Sequence, residues 1–272
     1  MDQKTKKSKG NKRFSVIIVA YNLGNFIERA IKSVEEQTFT DYELIIVDDC
    51  STDNTREIIK KAAEQYGNIK YVFHKENKRA GGARNTALDI AKGEYIVFLD
   101  GDDRLAGKNI LKRIDKVIGD DETDVTYLGF RMEGTIKELV IPTPETCTKT
   151  YKAAADKYPN PWSKCWRREF LNENNIRFPE NRFYEDVLFV YNGVMKSKTQ
   201  KIADFVTHRY TSGRKYSMTT NINMQNVKDT IKNLEDLLVL REKEYTKEID
   251  IILKKEIRMC KKRLDDKFSN VF

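Results

Sequence analysis

Continuous apolar runs alternate with amphipathic segments over the first half of the chain. Residues 14–20, 42–47, 70–73 and 94–99 are rich in β-branched and aromatic residues, which is typical of strands buried on both faces of a sheet. The segments between them place apolar residues three and four positions apart, as an amphipathic helix does. Alternation of strand and helix over residues 14–130 predicts an α/β fold, with a mostly parallel sheet and helices on both faces.

The segments between these strands carry local helix signals. Asn25 precedes an apolar periodic stretch and has Glu28 three residues later, so we expect this pair to cap a helix. A further helix is predicted from Ala83 to about Lys92, directly after two glycines. Each helix would return the chain to the start of another parallel strand.

The pattern changes after residue 130, where prolines interrupt regular structure. We predict a short amphipathic helix from Trp162 to about Asn172, a helix near 185–197 and a strand over 201–207. From about 224 to 268, leucine and isoleucine alternate with dense charge, which indicates helices. We expect a C-terminal helical hairpin that packs on the sheet; the alternatives are a dimerisation helix and a helix on a membrane surface.

The distribution of charge argues against a nucleic-acid partner, although the formal net charge is +8. Residues 1–13 hold six Lys or Arg and one Asp, and residues 221–272 hold twelve basic and ten acidic residues. The body of the chain, residues 14–220, is therefore nearly neutral. We expect the basic N-terminus to be a disordered, solvated tail; contact with an anionic membrane surface or polymer is the alternative.

The chain carries no sequence signal for a membrane span or for export. No apolar run approaches the roughly 18 residues that a transmembrane helix needs, and the N-terminus lacks an apolar signal core. The four cysteines show neither a CxxC pair nor metal-finger spacing. We therefore expect a cytoplasmic protein with free thiols. The protein could lie on the inner face of the membrane.

Acidic and aromatic residues follow the predicted strands. Tyr21 comes after the first strand, Asp49 after the second, and Asp100, Asp102 and Asp103 after the fourth. The carboxyl ends of parallel strands meet at one edge of a sheet, so these side chains should line a shared edge. Three carboxylates within four residues repel one another unless a cation lies among them. The Asp-x-Asp spacing thus predicts a hard divalent cation, Mn²⁺ or Mg²⁺, that also holds a diphosphate.

Several short motifs occur together in one order along residues 14–220: Ser15–Asn22, Val47–Asp53, Gly81–Asn85, Phe98–Asp103, Trp162–Arg168, Tyr184–Asp186 and 214–219. Their order resembles that of family 2 glycosyltransferases, which have the GT-A fold, a Rossmann-like α/β architecture. Ala20 stands where the family commonly has proline or serine, and Gly101 where serine is common. Neither change removes a chemical group on which the resemblance depends.

The resemblance implies that the donor substrate is a UDP-sugar. Tyr21 would stack on the uracil ring, and Asp49 would accept a hydrogen bond from its imide N–H. Arg84, near a helix start, would lie by the diphosphate or the base. Arg214 and Ser217 would close over the diphosphate. The full set implied to bind the nucleotide sugar is Ala20, Tyr21, Asp49, Arg84, Asp100, Asp102, Arg214 and Ser217.

The resemblance also implies an inverting, single-displacement transfer of a hexose or N-acetylhexosamine. Asp102 would be the direct metal ligand, and Asp100 would contact the ribose or a metal-bound water. Asp186 would act as general base on a hydroxyl of the acceptor, with Glu185 as the neighbour that could be mistaken for it. The expected acceptors are a glycan, a teichoic-acid-like polymer or a lipid-linked molecule.

Trp162 and Lys164 have two interpretations each. Trp162 could wall the sugar pocket or pack in the core, and Lys164 could reach a phosphate or lie on the surface. His208 could assist the phosphates or the metal, whereas His74 is expected to be structural. Two rival functions stay open as well: a sugar nucleotidyltransferase, disfavoured because no glycine-rich basic loop follows the first strand, and a non-catalytic module that binds a sugar nucleotide or a polymer.

These inferences divide the chain into four parts. Residues 1–13 are the basic tail, and residues 14–130 are the half that binds the nucleotide sugar. Residues 131–220 are the acceptor-binding and catalytic half of the same GT-A domain. Residues 221–272 form the helical extension, through which a homo-oligomer could assemble.

Overall fold

The computed structural model describes residues 12–133, 159–212, 223–243 and 247–268. Within these ranges the chain forms eight strands and eight α-helices. The strands are β1 (Phe14–Ala20), β2 (Tyr42–Asp48), β3 (Ile69–Phe73), β4 (Tyr95–Asp100), β5 (Arg104–Leu105), β6 (Val125–Glu133), β7 (Lys164–Arg167) and β8 (Gln200–Thr211). The helices are α1 (Ile27–Glu35), α2 (Thr55–Tyr66), α3 (Arg79–Ile90), α4 (Ile110–Ile118), α5 (Arg168–Glu173), α6 (Glu185–Lys196), α7 (Met224–Lys243) and α8 (Lys247–Phe268).

One twisted sheet joins the described strands in the order β3-β2-β1-β4-β7-β6-β8-β5. The first four pair in parallel, as predicted for the first half of the chain. β7 runs antiparallel to both β4 and β6, β6 and β8 are parallel, and β5 is antiparallel to β8. The sheet is therefore mixed beyond β4, and the carboxyl ends of β1, β2 and β4 share one edge.

Both faces of the sheet are buried by helices, so β1 is apolar at successive positions. Ile17 packs in the core that includes residues of α3 and α6, whereas Val16 and Ile18 pack in the core with α1 and α4. This alternation explains the continuous apolar sequence of the strand, since side chains of successive residues point to opposite faces.

The region from Trp162 to Asn172 is not the single helix that its sequence predicts. A short 3₁₀ turn over Pro161–Ser163 leads into β7, and only α5 is helical. Cys165 and Trp166 of β7 are fully buried and belong to opposite cores. Pairing with β4 and β6 therefore overrides the local helical pattern, because β7 lies between these strands and provides hydrogen-bond partners for the backbone of each.

Two helix starts also differ from the sequence predictions. α1 begins at Ile27 after Phe26, and its start has no side-chain cap from Asn25. α3 begins at Arg79, four residues before the predicted start. Arg79 itself adopts a positive φ of 61°. A bulky residue rarely adopts this left-handed backbone, so a helix start at Arg79 could not be predicted from the local sequence.

The C-terminal helices α7 and α8 pack against each other, and α7 packs on α6. Leu237 of α7 and Ile252 of α8 join the core that contains α6. α6 in turn lies very close to the sheet: a Cβ added to Gly193 would be 2.5 Å from a ring carbon of Trp166. Among the described helices, none combines the length and hydropathy needed to cross a bilayer.

Arg13, which the sequence assigns to the basic tail, contacts the folded domain. Its guanidinium pairs with Glu94 and Asp115, each at 2.7 Å. Residues 1–11 lie outside the described residues. Cys50, Cys165 and Cys260 are free thiols, and Cys147 lies outside the described residues.

Candidate active site

The acidic cluster lies where β4 ends. One carboxylate oxygen from each of Asp100, Asp102 and Asp103 lies within 4.8 Å of the others. The backbone N–H of Thr211 donates to Asp103 Oδ1 at 2.7 Å, and its hydroxyl donates to the Asp102 carbonyl at 2.6 Å. Arg29 of α1 donates to the same carbonyl. β8 and α1 thus hold the cluster in shape, and its oxygen-only donor set fits Mn²⁺ or Mg²⁺.

Arg84 of α3 connects this cluster to α6. Its Nη2 donates to Asp100 Oδ1 at 2.8 Å, and its Nη1 donates to Glu185 Oε1 at 2.6 Å. Burial lowers the pKa of Arg84, but the charges of Asp100 and Glu185 outweigh burial and raise the pKa above its ordinary value. The sequence placed Arg84 at the donor diphosphate or base; in the folded chain its guanidinium contacts two protein carboxylates.

Gly81 allows this connection because α3 passes very close to the segment before α6. A Cβ at Gly81 would lie 2.3 Å from the carbonyl oxygen of Pro179 and 3.0 Å from Cγ of Glu185. A side chain at this position would force the two segments apart. The glycine therefore brings Arg84 within hydrogen-bond distance of Glu185.

Asp186 is the second residue of α6, next to this ion pair. Glu185 is buried against Arg84, whereas Asp186 is partly exposed. Burial and the negative charge of Glu185 raise the pKa of Asp186 to about 7, while Arg84 opposes the rise. A carboxylate with a pKa near neutral suits general-base catalysis. Of the neighbouring pair, Glu185 is therefore an internal ion-pair partner and Asp186 is an accessible carboxylate.

Tyr21 and Asp49 lie at the ends of the adjacent strands. The backbone N–H of Asp49 donates to the Ala20 carbonyl at 2.8 Å, so the ends of β1 and β2 are joined. His74 Nδ1 lies 2.8 Å from Asp49 Oδ1, and the Lys78 N–H donates to the same oxygen at 2.8 Å. These contacts fix the orientation of the carboxylate. Tyr21 is 50% exposed, and its ring is accessible to a ligand.

The turn that follows β2 is capped by Asp48 and not by Asp49. Asp48 Oδ1 accepts the Ser51 N–H at 3.0 Å and pairs with Arg56. His74, expected to be structural, also contacts Thr86 through Nε2 at 3.0 Å. His74 therefore orients Asp49, a link that no local sequence signal reveals.

Trp162, Lys164 and His208 lie inside the protein. Trp162 is buried and stacks on Tyr210 with 5.4 Å between the ring centroids. Lys164 is buried, and its Nζ donates to the Asn160 carbonyl at 3.0 Å, so the surface interpretation was wrong. Burial lowers the pKa of His208 to about 4, and its ring nitrogens contact Thr207 and the Phe98 carbonyl. Arg214 and Ser217 lie outside the described residues.

Contiguous contacts therefore join the predicted groups from the edge of the sheet to α6. Asp100 contacts Arg84, Arg84 contacts Glu185, and Asp186 follows in the chain. Asp49 reaches the same edge, since β1 lies between β2 and β4. Sequence reasoning missed Arg29 and Thr211, which shape the acidic loop from 73 and 109 residues away. Only the fold brings these residues to the loop.

Comparison with known proteins gives the family. The glycosyl transferase family 2 model matches residues 15–192. The chain is 36% identical over 137 residues to the putative teichuronic acid biosynthesis glycosyltransferase TuaG of Bacillus subtilis, covering 49% of this chain and 54% of that protein. It is 30% identical over 210 residues to the poly(ribitol-phosphate) beta-N-acetylglucosaminyltransferase TarS of Staphylococcus aureus, covering 74% of this chain and 36% of that protein.

Solved structures agree with this assignment. The structure of residues 1–349 of S. aureus TarS in complex with UDP-GlcNAc matches with a TM-score of 0.74 and 25% identity, over 95% of this chain and 73% of that chain. The mannosyltransferase PcManGT of Pyrobaculum calidifontis, solved with GDP-Man and Mn²⁺, matches with a TM-score of 0.66 and 18% identity over 96% and 76% of the two chains, which supports the fold alone. The chain spans about half of the length of TuaG and about a third of that of TarS. The chain has the GT-A fold and belongs to glycosyl transferase family 2.

Proposed function

We propose that the protein is an inverting, metal-dependent glycosyltransferase that moves a hexose or N-acetylhexosamine from a UDP-sugar to an acceptor hydroxyl. The observation that carries this proposal is the chain of contacts from the acidic cluster through Arg84 to Glu185, beside Asp186. These contacts bring the acidic loop, the proposed site of the metal and diphosphate, and the carboxylate of Asp186, the proposed base, to one place. A single displacement needs both, because the leaving group departs on one side of the sugar while the nucleophile attacks from the other.

Asp186 has the properties of the base in this reaction. The acceptor hydroxyl would give its proton to the Asp186 carboxylate while its oxygen forms a bond to the anomeric carbon. The bond from that carbon to the UDP oxygen would break in the same step, with inversion. Positioned proton transfer of this kind contributes about 10²–10⁴-fold to a rate. Arg84 keeps Glu185 turned inward, so a single carboxylate of the adjacent pair faces the acceptor.

Asp102 is the proposed metal ligand, and Asp100 and Asp103 complete the acidic loop. When bound, Mn²⁺ or Mg²⁺ would neutralise negative charge on the departing diphosphate. Asp103 is held by Thr211 and Asp100 by Arg84, and we assign the direct contact with the ion to Asp102, as the family resemblance implies.

The proposed donor is a UDP-sugar, on two grounds. The Asp49 carboxylate is held at the edge of the sheet by His74 and the Lys78 N–H, and a carboxylate pairs with the imide N–H that uracil carries. The TarS structure was solved with UDP-GlcNAc. We assign Tyr21 to stacking on the base, and Ala20, Arg84, Arg214 and Ser217 to the donor site as the family resemblance implies.

The proposed acceptor is a hydroxyl of a polymer, such as a glycan or a teichoic-acid-like chain; a lipid-linked acceptor is the alternative. The relatives named for teichuronic acid and poly(ribitol-phosphate) support a polymer. Cytoplasmic location, peripheral membrane contact and assembly through α7 and α8 stay predictions.

A transfer assay tests the proposal. UDP release is measured for a panel of UDP-sugars with a panel of polymeric acceptors, with and without Mn²⁺. We expect one donor to give metal-stimulated, acceptor-dependent release, and Asp186→Asn to bind UDP normally yet transfer no sugar. Asp204→Asn, at an exposed position of β8, is the matched control and should keep full activity.

Two results would contradict the proposal. Wild-type transfer that is equal in EDTA and in Mn²⁺ would remove the metal from the mechanism. Full transfer by Asp186→Asn would show that Asp186 is not the general base. UDP-sugar binding without turnover on any acceptor would instead favour the non-catalytic module.

A further inference from the structure

The turn before α6 has an unusual backbone. Asn181 and Tyr184 both have positive φ values, of 57° and 59°. Tyr184 directly precedes Glu185 and Asp186 and forms the N-terminal boundary of the helix without a side-chain cap. A bulky residue adopts the left-handed conformation only where its surroundings hold it there, and such strain concentrates at functional sites.

Side chains of α7 hold this turn by hydrogen bonds to its backbone. The Phe183 N–H donates to Asp229 Oδ2 at 2.9 Å. Asn233 Nδ2 donates to the carbonyls of Phe183 at 3.0 Å and of Tyr184 at 3.1 Å. Asp229 and Asn233 are 0% and 3% exposed. Since they are four residues apart, they lie on one face of the helix.

Other contacts orient the same turn. Arg182 Nη1 donates to Asp236 Oδ2 at 2.6 Å, one further turn along α7. On the opposite side, the guanidinium carbon of Arg79 lies 3.8 Å from the centre of the Phe183 ring. The turn is therefore held between the start of α3 and the face of α7 formed by residues 229, 233 and 236.

The polar character of this face needs an explanation beyond packing. Buried polar side chains cost free energy unless they are hydrogen-bonded, and apolar residues would pack α7 on α6 equally well. Asp229 and Asn233 are instead hydrogen-bonded to the backbone of the turn, to the N–H of Phe183 and to the carbonyls of Phe183 and Tyr184. Their chemistry is matched to holding Tyr184 in place.

We propose that Asp229 and Asn233 are positioning residues for sugar transfer: they fix the left-handed turn at Tyr184 and thereby aim the Asp186 carboxylate at the acceptor hydroxyl. The proposal rests on the proposed role of Asp186 as base. Both residues lie beyond residues 15–192, the part that the family model matches. The helical extension would then be part of the catalytic apparatus.

Substitution of Asn233 by leucine tests this directly, since the two side chains are similar in size and leucine cannot donate to the two carbonyls. We expect Asn233→Leu to lower kcat about 10- to 100-fold, the loss that a misplacement of about 1 Å causes. The KM for the donor and the Kd for UDP should stay unchanged, because neither residue contacts the acidic loop or Asp49. Asp229→Asn keeps an oxygen that can accept the Phe183 N–H, so it should retain far more activity than Asp229→Leu.

Leu237→Ala is the control for general loss of stability. Leu237 is a buried residue of the same helix, 1% exposed, and is not hydrogen-bonded to the turn. At a temperature where both variants are folded, Leu237→Ala should keep the wild-type kcat. If Asn233→Leu does not fold, Asp236→Asn loosens only the partly exposed pair with Arg182 and should still lower kcat selectively.

The outcomes separate this inference from the proposed function. A wild-type kcat in folded Asn233→Leu, or in Asp236→Asn where the first variant does not fold, would overturn the positioning role. A loss of kcat in Leu237→Ala as large as that in Asn233→Leu would also overturn it. Full activity of Asp186→Asn would instead overturn the proposed base, whichever result the α7 variants give.

Discussion

Arg84 of α3 and Glu185 of α6 form a buried ion pair, with 2.6 Å between Nη1 and Oε1 and 6% of each side chain exposed. Removing one partner leaves an uncompensated charge inside the protein. We therefore expect Arg84→Met to lower the free energy of unfolding by about 3–5 kcal/mol, measured by urea denaturation. Lys32→Met breaks the exposed pair with Glu36 and should cost less than about 1 kcal/mol. Equal stabilities of the two variants would contradict the prediction.

Asp102→Asn should remove metal-stimulated turnover. The amide is a poorer ligand for a hard cation than the carboxylate, so we expect transfer to fall by about 10²-fold or more, together with weaker Mn²⁺ binding in the presence of UDP. Asp103→Asn is the matched comparison. Its oxygen can still accept the Thr211 N–H, and we expect it to retain more Mn²⁺ affinity than Asp102→Asn. The reverse order would move the ligand role to Asp103.

Tyr21 should contribute to UDP affinity through its ring. Its side chain is half exposed beside the predicted base site, and stacking of a base on an aromatic ring is worth about 1–3 kcal/mol. Tyr21→Ala should therefore weaken UDP binding by roughly 5- to 150-fold in calorimetry. Tyr21→Phe keeps the ring face and should bind almost normally. A large loss in both variants would assign the effect to the hydroxyl instead.

Asp49 should determine which nucleotide base the donor site prefers. Its carboxylate only accepts hydrogen bonds, whereas the amide of asparagine can also donate to cytosine, which has an acceptor where uracil has the imide N–H. We expect Asp49→Asn to bind UDP about 10-fold more weakly and to lose much of its preference for UDP over CDP. Competition binding of the two nucleotides measures this ratio. An unchanged ratio would show that Asp49 does not face the base.

The rate of transfer should depend on the protonation of Asp186. Burial, Glu185 and Glu256 of α8 raise its pKa to about 7, and Arg84 opposes them. The base must be ionised, so kcat should fall as the pH drops below about 7. Because the pKa is higher in the folded chain than its ordinary 3.8, the contribution of Asp186 to stability is present at low pH and is lost as the pH rises toward 7.

Glu256→Gln tests this electrostatic link. Removing the negative charge lowers the pKa of Asp186, so the acidic limb of the pH–rate profile should move to lower pH. Asp265→Asn, an exposed carboxylate of the same helix, should leave the limb in place. A limb that moves to higher pH, or equally in both variants, would contradict the assignment.

The sequence predicted the parts of the fold and site that depend on local pattern. β1, β2 and β4 are continuous β-branched runs, and Asp49 and Asp102 follow them directly, so the shared edge could be inferred. The sequence could not reveal contacts set by the fold. Arg84 contacts Asp100 and Glu185, which are 16 and 101 residues away. The helical pattern around Arg84 does not indicate either contact.

Lys164 and β7 are a second case in which the structure could not be predicted from the local sequence. Trp162, Cys165 and Trp166 have helical spacing, yet the segment pairs with strands that lie earlier in the chain. The lysine of this strand is thereby carried into the interior, where Asn160 and Ser163 accept its hydrogen bonds. Amphipathic spacing could not distinguish this strand from a surface helix, because pairing with β4 and β6 is decided by the whole sheet.

Gly193 and the Trp166 ring set how near α6 can come to the sheet. Glu185 lies eight residues before this contact, about 12 Å along the helix axis. A methyl group at Gly193 would push α6 away from the Trp166 ring and tilt the helix. Because Asp186 lies at the opposite end of the helix, the tilt would displace Asp186 the most. The position of Asp186 is thus set in part by a contact that lies about two helical turns away along α6.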